Sequence, residues 1–142
     1  MLKTIEEASK NFCIHQIKVE HKIEDGIIDT RTLIAYIDID TVDKKKYRVY
    51  IASDKNFMQR ISKLFLEEDE SDEETLIDMT LETANLIIGS AKVIAEESDE
   101  NPYTINTPHF EKFEKFDYDY DTAKVISVED DRMIIAIKEL NV

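Results

Sequence analysis

The sequence predicts an α+β sandwich in which helices pack on a mostly antiparallel sheet, arranged as two α-β-β-β halves. Three observations lead there. A 3.6-residue apolar period opens the chain and returns, longer, in its middle. Each time it gives way to short β-branched or aromatic runs that alternate with charged residues. Glycines and prolines number only two each, which leaves little chain for irregular loops.

At 142 residues the chain has the length of one domain, residues 1–142, with one sizeable core. Leu2, Ile5, Ala8, Phe12 and Cys13 recur at steps of three or four and predict a first helix over residues 2–14. Ile17, Val19 and Ile23 then alternate with charges up to a turn at Gly26. LIAYIDID (Leu33 to Asp40) and YRVYIAS (Tyr47 to Ser53) read as strands paired in a hairpin. Phe57, Ile61, Leu64 and Phe65 predict a short helix from Asp54.

The acidic run EEDESDEE (Glu67 to Glu74) lacks the bend glycine of a calcium loop. Ser71 with Glu74 fits a capping box, which starts a long helix that runs to Glu97. SDENP (Ser98 to Pro102) breaks it. Strands follow at Tyr103 to Asn106, Ala123 to Val128 and Met133 to Leu140, the last two joined by an Asp130-Asp131 turn. Between them EKFEKFDYDYD, with Phe113, Phe116, Tyr118 and Tyr120, reads as a half-buried strand or edge ribbon.

A formal net charge of −14 sets the protein against phosphate backbones and anionic lipid, so neither nucleic acid nor a membrane is an expected partner. The N-terminal MLKTIEEASK has no signal-like apolar run, and the stretch Leu86 to Ala95 is too short to span a bilayer. A single cysteine, Cys13, excludes an intrachain disulfide and reads as a core residue. The expected location is cytoplasmic. His15, His21 and His109 are dispersed and show no metal-ligand spacing, so no metal or cofactor is expected. Nucleophilic triads and a glycine-rich phosphate loop are likewise missing from the sequence.

The informative stretch is LIDMTLETANLIIGSAK, residues 76 to 92. With Leu81 at zero on a helical wheel, Ile77, Ala84, Ile88, Ala91 and Ala95 fall at about −80° to 0° as a core stripe. Met79, Leu86 and Val93 gather at about +120° to +160° as a second apolar face. Asp78, Glu82, Asn85 and Gly89 form a polar file between them, at about +40° to +100°. A plain solvated stripe would carry strong helix formers, whereas Asn is a poor one and Gly costs up to about 1 kcal/mol relative to Ala. Glu82 and Asn85, three apart, project to one spot. Gly89 removes bulk one turn on. A carboxamide can orient an attacking water through its carbonyl and its NH₂, as a glutamine does in phosphoryl transfer.

Asp78-x3-Glu82-x2-Asn85, followed after 22 intervening residues by Pro108, resembles the signature of the CheC/CheX/FliY family of chemotaxis phosphatases. ETANLIIGSAK is similar to that family's active helix, with Asn followed four residues later by Gly. The first helix carries Glu7-x3-Asn11 in place of a second Glu-x2-Asn, a CheX-like pattern with one site per chain. The resemblance implies a CheC-like fold and hydrolysis of the aspartyl phosphate of a CheY-like response regulator. It implies that Asn85 positions water and that Glu82 pairs with a regulator lysine. Asp78 and Gly89 would support docking, and Pro108 would shape the adjoining loop. Mg²⁺ would come from the regulator, and the chain would form a homodimer, by joining sheets at an edge. The competing expectation is a scaffold of the same fold that binds a regulator without hydrolysis.

Overall fold

A computed structural model describes residues 2–97 and 103–140. The predicted SDENP break lies outside the described residues. Three helices, α1 (Leu2–Phe12), α2 (Lys55–Leu66) and α3 (Glu73–Glu97), accompany a seven-stranded antiparallel sheet. The strands are β1 (His21–Asp25), β2 (Arg31–Thr41), β3 (Lys46–Ser53), β4 (Tyr103–Ile105), β5 (His109–Lys115), β6 (Thr122–Val128) and β7 (Asp131–Leu140). Their order is β1-β6-β7-β3-β2-β4, with β5 beside β4 on the same edge of β2.

The β2–β3 hairpin forms as the sequence indicates, with Leu33 opposite Ser53 and Asp40 opposite Lys46. β7 pairs along all of β3, so the two halves of the chain meet at the sheet centre. Alternation along these strands sends Leu33, Ile37, Ile39, Val49, Ile51, Met133, Ile135 and Ile137 to one face. There they bury against Ile5 and Phe12 of α1, Phe57, Met58 and Ile61 of α2, and Leu76, Ala84, Ile87 and Ile88 of α3.

The opposite face carries no helix among the described residues. Ile34, Tyr50, Ala52, Val125, Ile134 and Ala136 are covered instead by Phe116, with Tyr118 packed beside it. Tyr50 stacks on Tyr118 at 4.9 Å between ring centroids and meets Phe116 edge-on at 5.4 Å. Burial and a hydrogen bond to Glu111 push the Tyr118 phenol up to about 12. The stretch read as a strand or edge ribbon is thus both. Up to Lys115 it is strand β5, bulged against β2 between Ile34 and Ala35, and beyond that it is an aromatic lid over the sheet. The second half of the chain therefore holds four strands where the sequence reading counted three besides this ribbon.

Local differences have physical reasons. β1 begins at His21, because after α1 the chain continues through a π turn, Cys13–Ile17, closed by the Lys18 N–H donating to the Cys13 carbonyl. That turn keeps Cys13 and Ile17 buried, and burial pushes the Cys13 thiol up to about 11. Asp72, not Ser71, caps α3 by accepting from the Thr75 N–H at 2.8 Å. Ser71 is buried and bonded to the Ser62 hydroxyl, the Gln59 side chain and Glu68. The β6–β7 turn is Glu129-Asp130, with Glu129 at φ +54° and Val128 paired to Asp131.

Asp54 fastens the helical layer to the sheet. One carboxylate oxygen accepts from the Phe57 N–H at 2.7 Å as the cap of α2, and the other accepts from the Arg132 N–H of β7, also at 2.7 Å. Arg60 of α2 reinforces the joint through Asp131 at 2.9 Å. Asp54→Ala strands both amides, and a loss of about 2 kcal/mol is expected by urea denaturation. A loss below about 0.5 kcal/mol, within the usual range of surface changes, would show that the joint carries no stability.

Candidate functional site

α3 is the element that presents the candidate residues. It lies against α1, α2 and the β2 side of the sheet. Its buried residues are Leu76, Met79, Thr80, Thr83, Ala84, Ile87, Ile88, Ala91 and Ala95. On the wheel used above they are centred at about −100°, some 60° from the stripe that apolar spacing predicts. Leu76, Met79 and Ile87, which lie outside the predicted stripe, account for most of that rotation, and the two threonines fall on the same side. The threonine hydroxyls donate to the carbonyls of Leu76 and Met79, four residues back, at 2.8 and 2.7 Å, so burying them leaves no donor unpaired. Ile77, placed in the core by periodicity, is only half-buried.

The second apolar face is a correction too. Met79 is buried, but Leu86 is 39% exposed and Val93 50%. The polar file is therefore not a slot between two covered faces. It is the middle of one open face that also holds Leu86 and Val93. Asp78, Glu82 and Asn85 are exposed on it, and Gly89 is half-exposed one turn beyond Asn85. Among the described residues, the side chains of Asp78, Glu82 and Asn85 have no hydrogen bond or ion pair. A carboxylate and a carboxamide thus stand side by side with nothing of their own chain to satisfy them.

A Cβ built at Gly89 would meet nothing within 4 Å, so no packing inside the chain requires glycine there. The absent side chain keeps the surface low at that point. Pro108 lies in the link between β4 and β5, on the outer edge of β2. Asn106 pins that link: its N–H donates to the Asp38 carbonyl, and its side-chain amide donates to the same carbonyl and to Asp40, each at 3.0 Å. The structure brings the four α3 residues together and leaves Pro108 to the link.

Sequence reasoning passed over the α1 side of this face. An open groove of about 260 Å³ runs between α1 and α3, lined by Ala8, Asn11, Phe12, His15, Gln16, Leu86 and Ser90. The π turn brings His15 and Gln16 to it. Asn11 was read only as part of a degenerate motif; its i, i+4 relation to His15 was the available signal. Among the described residues, no three His, Cys, Asp or Glu side chains converge as a metal site. No helix among them is long and apolar enough to cross a membrane.

The fold matches CheX from Vibrio vulnificus with a TM-score of 0.78 at 18% identity, covering 96% of this chain and 97% of that one. It matches the CheX of a CheX–CheY–BeF₃–Mg²⁺ complex from Borrelia burgdorferi with a TM-score of 0.71 at 15% identity, covering 97% of each chain. FliY from Thermotoga maritima is more distant, with a TM-score of 0.59 at 12% identity over 96% of this chain and 84% of that one. No curated protein sequence matches. The family model for the chemotaxis phosphatase CheX matches residues 36–129, from within β2 through β3, α2, α3, β4 and β5 to the end of β6, and the chain belongs to that family.

Proposed function

We propose that this protein hydrolyses the aspartyl phosphate of a CheY-like response regulator, with Glu82 and Asn85 as the pair that carries the activity. The observation behind this is the pair itself: two exposed, unpartnered polar side chains, one turn apart, on a helix whose other side is fixed in the core. The Borrelia complex holds a CheX and a CheY together with BeF₃ and Mg²⁺. BeF₃ on an aspartate stands in for a phosphoryl group.

In the reaction, a water oxygen attacks phosphorus in line with the aspartyl oxygen. The phosphorus–oxygen bond to the aspartate breaks, leaving the carboxylate and inorganic phosphate. Asn85 accepts from the water through its carbonyl and presents its NH₂ to the phosphoryl side, which fixes distance and angle. Glu82 pairs with a lysine of the regulator and so sets the register of docking. Asp78 extends the acidic contact one turn toward the start of α3, and Gly89 admits the regulator's surface close to the helix. Mg²⁺ belongs to the regulator, where it neutralises charge on the phosphoryl oxygens. The chain acts in the cytoplasm and as a homodimer, joined at a sheet edge.

Asn85→Ala is expected to slow loss of acid-labile phosphate from the regulator by about 10²-fold or more, the scale of lost positioning. An unchanged rate removes Asn85 from the mechanism. Tight phosphorylation-dependent binding by the wild type without turnover would establish the scaffold role instead.

Gly89→Ala separates folding from function. The substitution meets no clash, so the helix should gain up to about 1 kcal/mol in denaturation. Dephosphorylation should fall at the same time, because the added methyl holds the regulator away. A variant both more stable and fully active would refute close approach at Gly89.

A further inference from the structure

Lys92 is the one base on α3, which otherwise carries Glu73, Glu74, Asp78, Glu82, Glu96 and Glu97. It is half-buried and forms no ion pair among the described residues, although Glu96 lies four positions on. Seven residues separate it from Asn85, so the two differ by only about 20° around the helix and by roughly 10 Å along it. Gly89 lies on the turn between them.

Side chains on a helix lean toward its N-terminus, so the Lys92 stem leads back over that turn. At Gly89 nothing occupies the space a side chain would fill. An extended lysine covers roughly 6 Å of the roughly 10 Å to Asn85. The remaining gap is the size of one bound anionic group.

We infer that Lys92 is a positioning residue that pairs with a carboxylate at the rim of the regulator's phosphorylation site. The inference rests on the regulator phosphatase reading above and adds a contact to it. A centre that holds a divalent cation beside an aspartyl phosphate must itself be rich in carboxylates. Most of α3 repels such a rim; Lys92 is the place on the open face where it is attracted. The face thereby has a direction: Glu82 receives a cation of the partner, Asn85 meets the phosphoryl group, and Lys92 receives an acid. A regulator docked the other way round would meet like charge at both ends.

The test is steady-state dephosphorylation of a regulator phosphorylated with a small-molecule donor, together with binding of the same regulator loaded with beryllofluoride and Mg²⁺. Lys92→Glu should raise KM and the Kd of the loaded regulator roughly tenfold at low salt, with kcat within about twofold. Lys92→Arg should restore both, and added salt should shrink the difference. Lys55→Glu on exposed α2 changes net charge by the same amount and should leave KM within about twofold.

A Lys92→Glu enzyme with wild-type KM overturns the inference. So does a Lys55→Glu enzyme impaired to the same degree, since overall charge would then suffice. Wild-type protein that neither binds nor dephosphorylates a regulator overturns the parent reading as well.

Discussion

The structure turns on how α3 lies against its neighbours. A helix on a sheet can bury only one side, and the choice of side decides what the other can offer. Here the choice is made by large aliphatic residues together with two threonines whose hydroxyls are satisfied within the helix. With those groups buried, Asp78, Glu82, Asn85 and Gly89 have no alternative but the outside. Core packing and the presentation of the site are one event.

That arrangement accounts for the site's chemical simplicity. A protein that acts on a phosphoryl group carried by another protein needs no substrate cleft of its own. It needs a rigid support, because a water-positioning group loses its value when it wanders. α3 supplies rigidity through contacts with α1, α2 and the sheet, and Asp54 and Arg60 tie α2 to the β6–β7 hairpin. On the proposed mechanism the partner would supply the metal and the scissile bond. This division of labour also explains why the sequence contains no familiar nucleophile or phosphate loop.

Legibility in the sequence followed how local each determinant was. The β2–β3 hairpin could be read directly, since alternating apolar residues on both sides of a charged link specify it without reference to the rest. The polar file on α3 could also be read, because unfavourable helix formers at helical spacing imply an external reason. Less legible were features decided by distant partners. Ser71 has the look of a helix cap, but Ser62 and Gln59 draw it inward. Tyr118 looks like a strand residue, but Tyr50, far away in sequence, receives it as a lid. The predicted face of α3 differs from the buried one by 60° or so because the predicted stripe leaves out Leu76 and Ile87 and gives Met79 to a second face, and partners on α1, α2 and the sheet decide where these three go. Asn11 and His15 gain meaning only once α1 is seen beside Leu86.

The aromatic lid has a practical corollary. The chain holds six tyrosines and no tryptophan, and Tyr50 and Tyr118 stack on the side of the sheet away from α3. Phenol emission, undisturbed by indole, thus reports partly on the rear layer through Tyr36, Tyr50 and Tyr118, while Tyr47 and Tyr103 report on the helical side. A tryptophan-bearing regulator could be watched in the same cuvette at its own wavelength, so that association and loosening of the lid would register as separate optical signals.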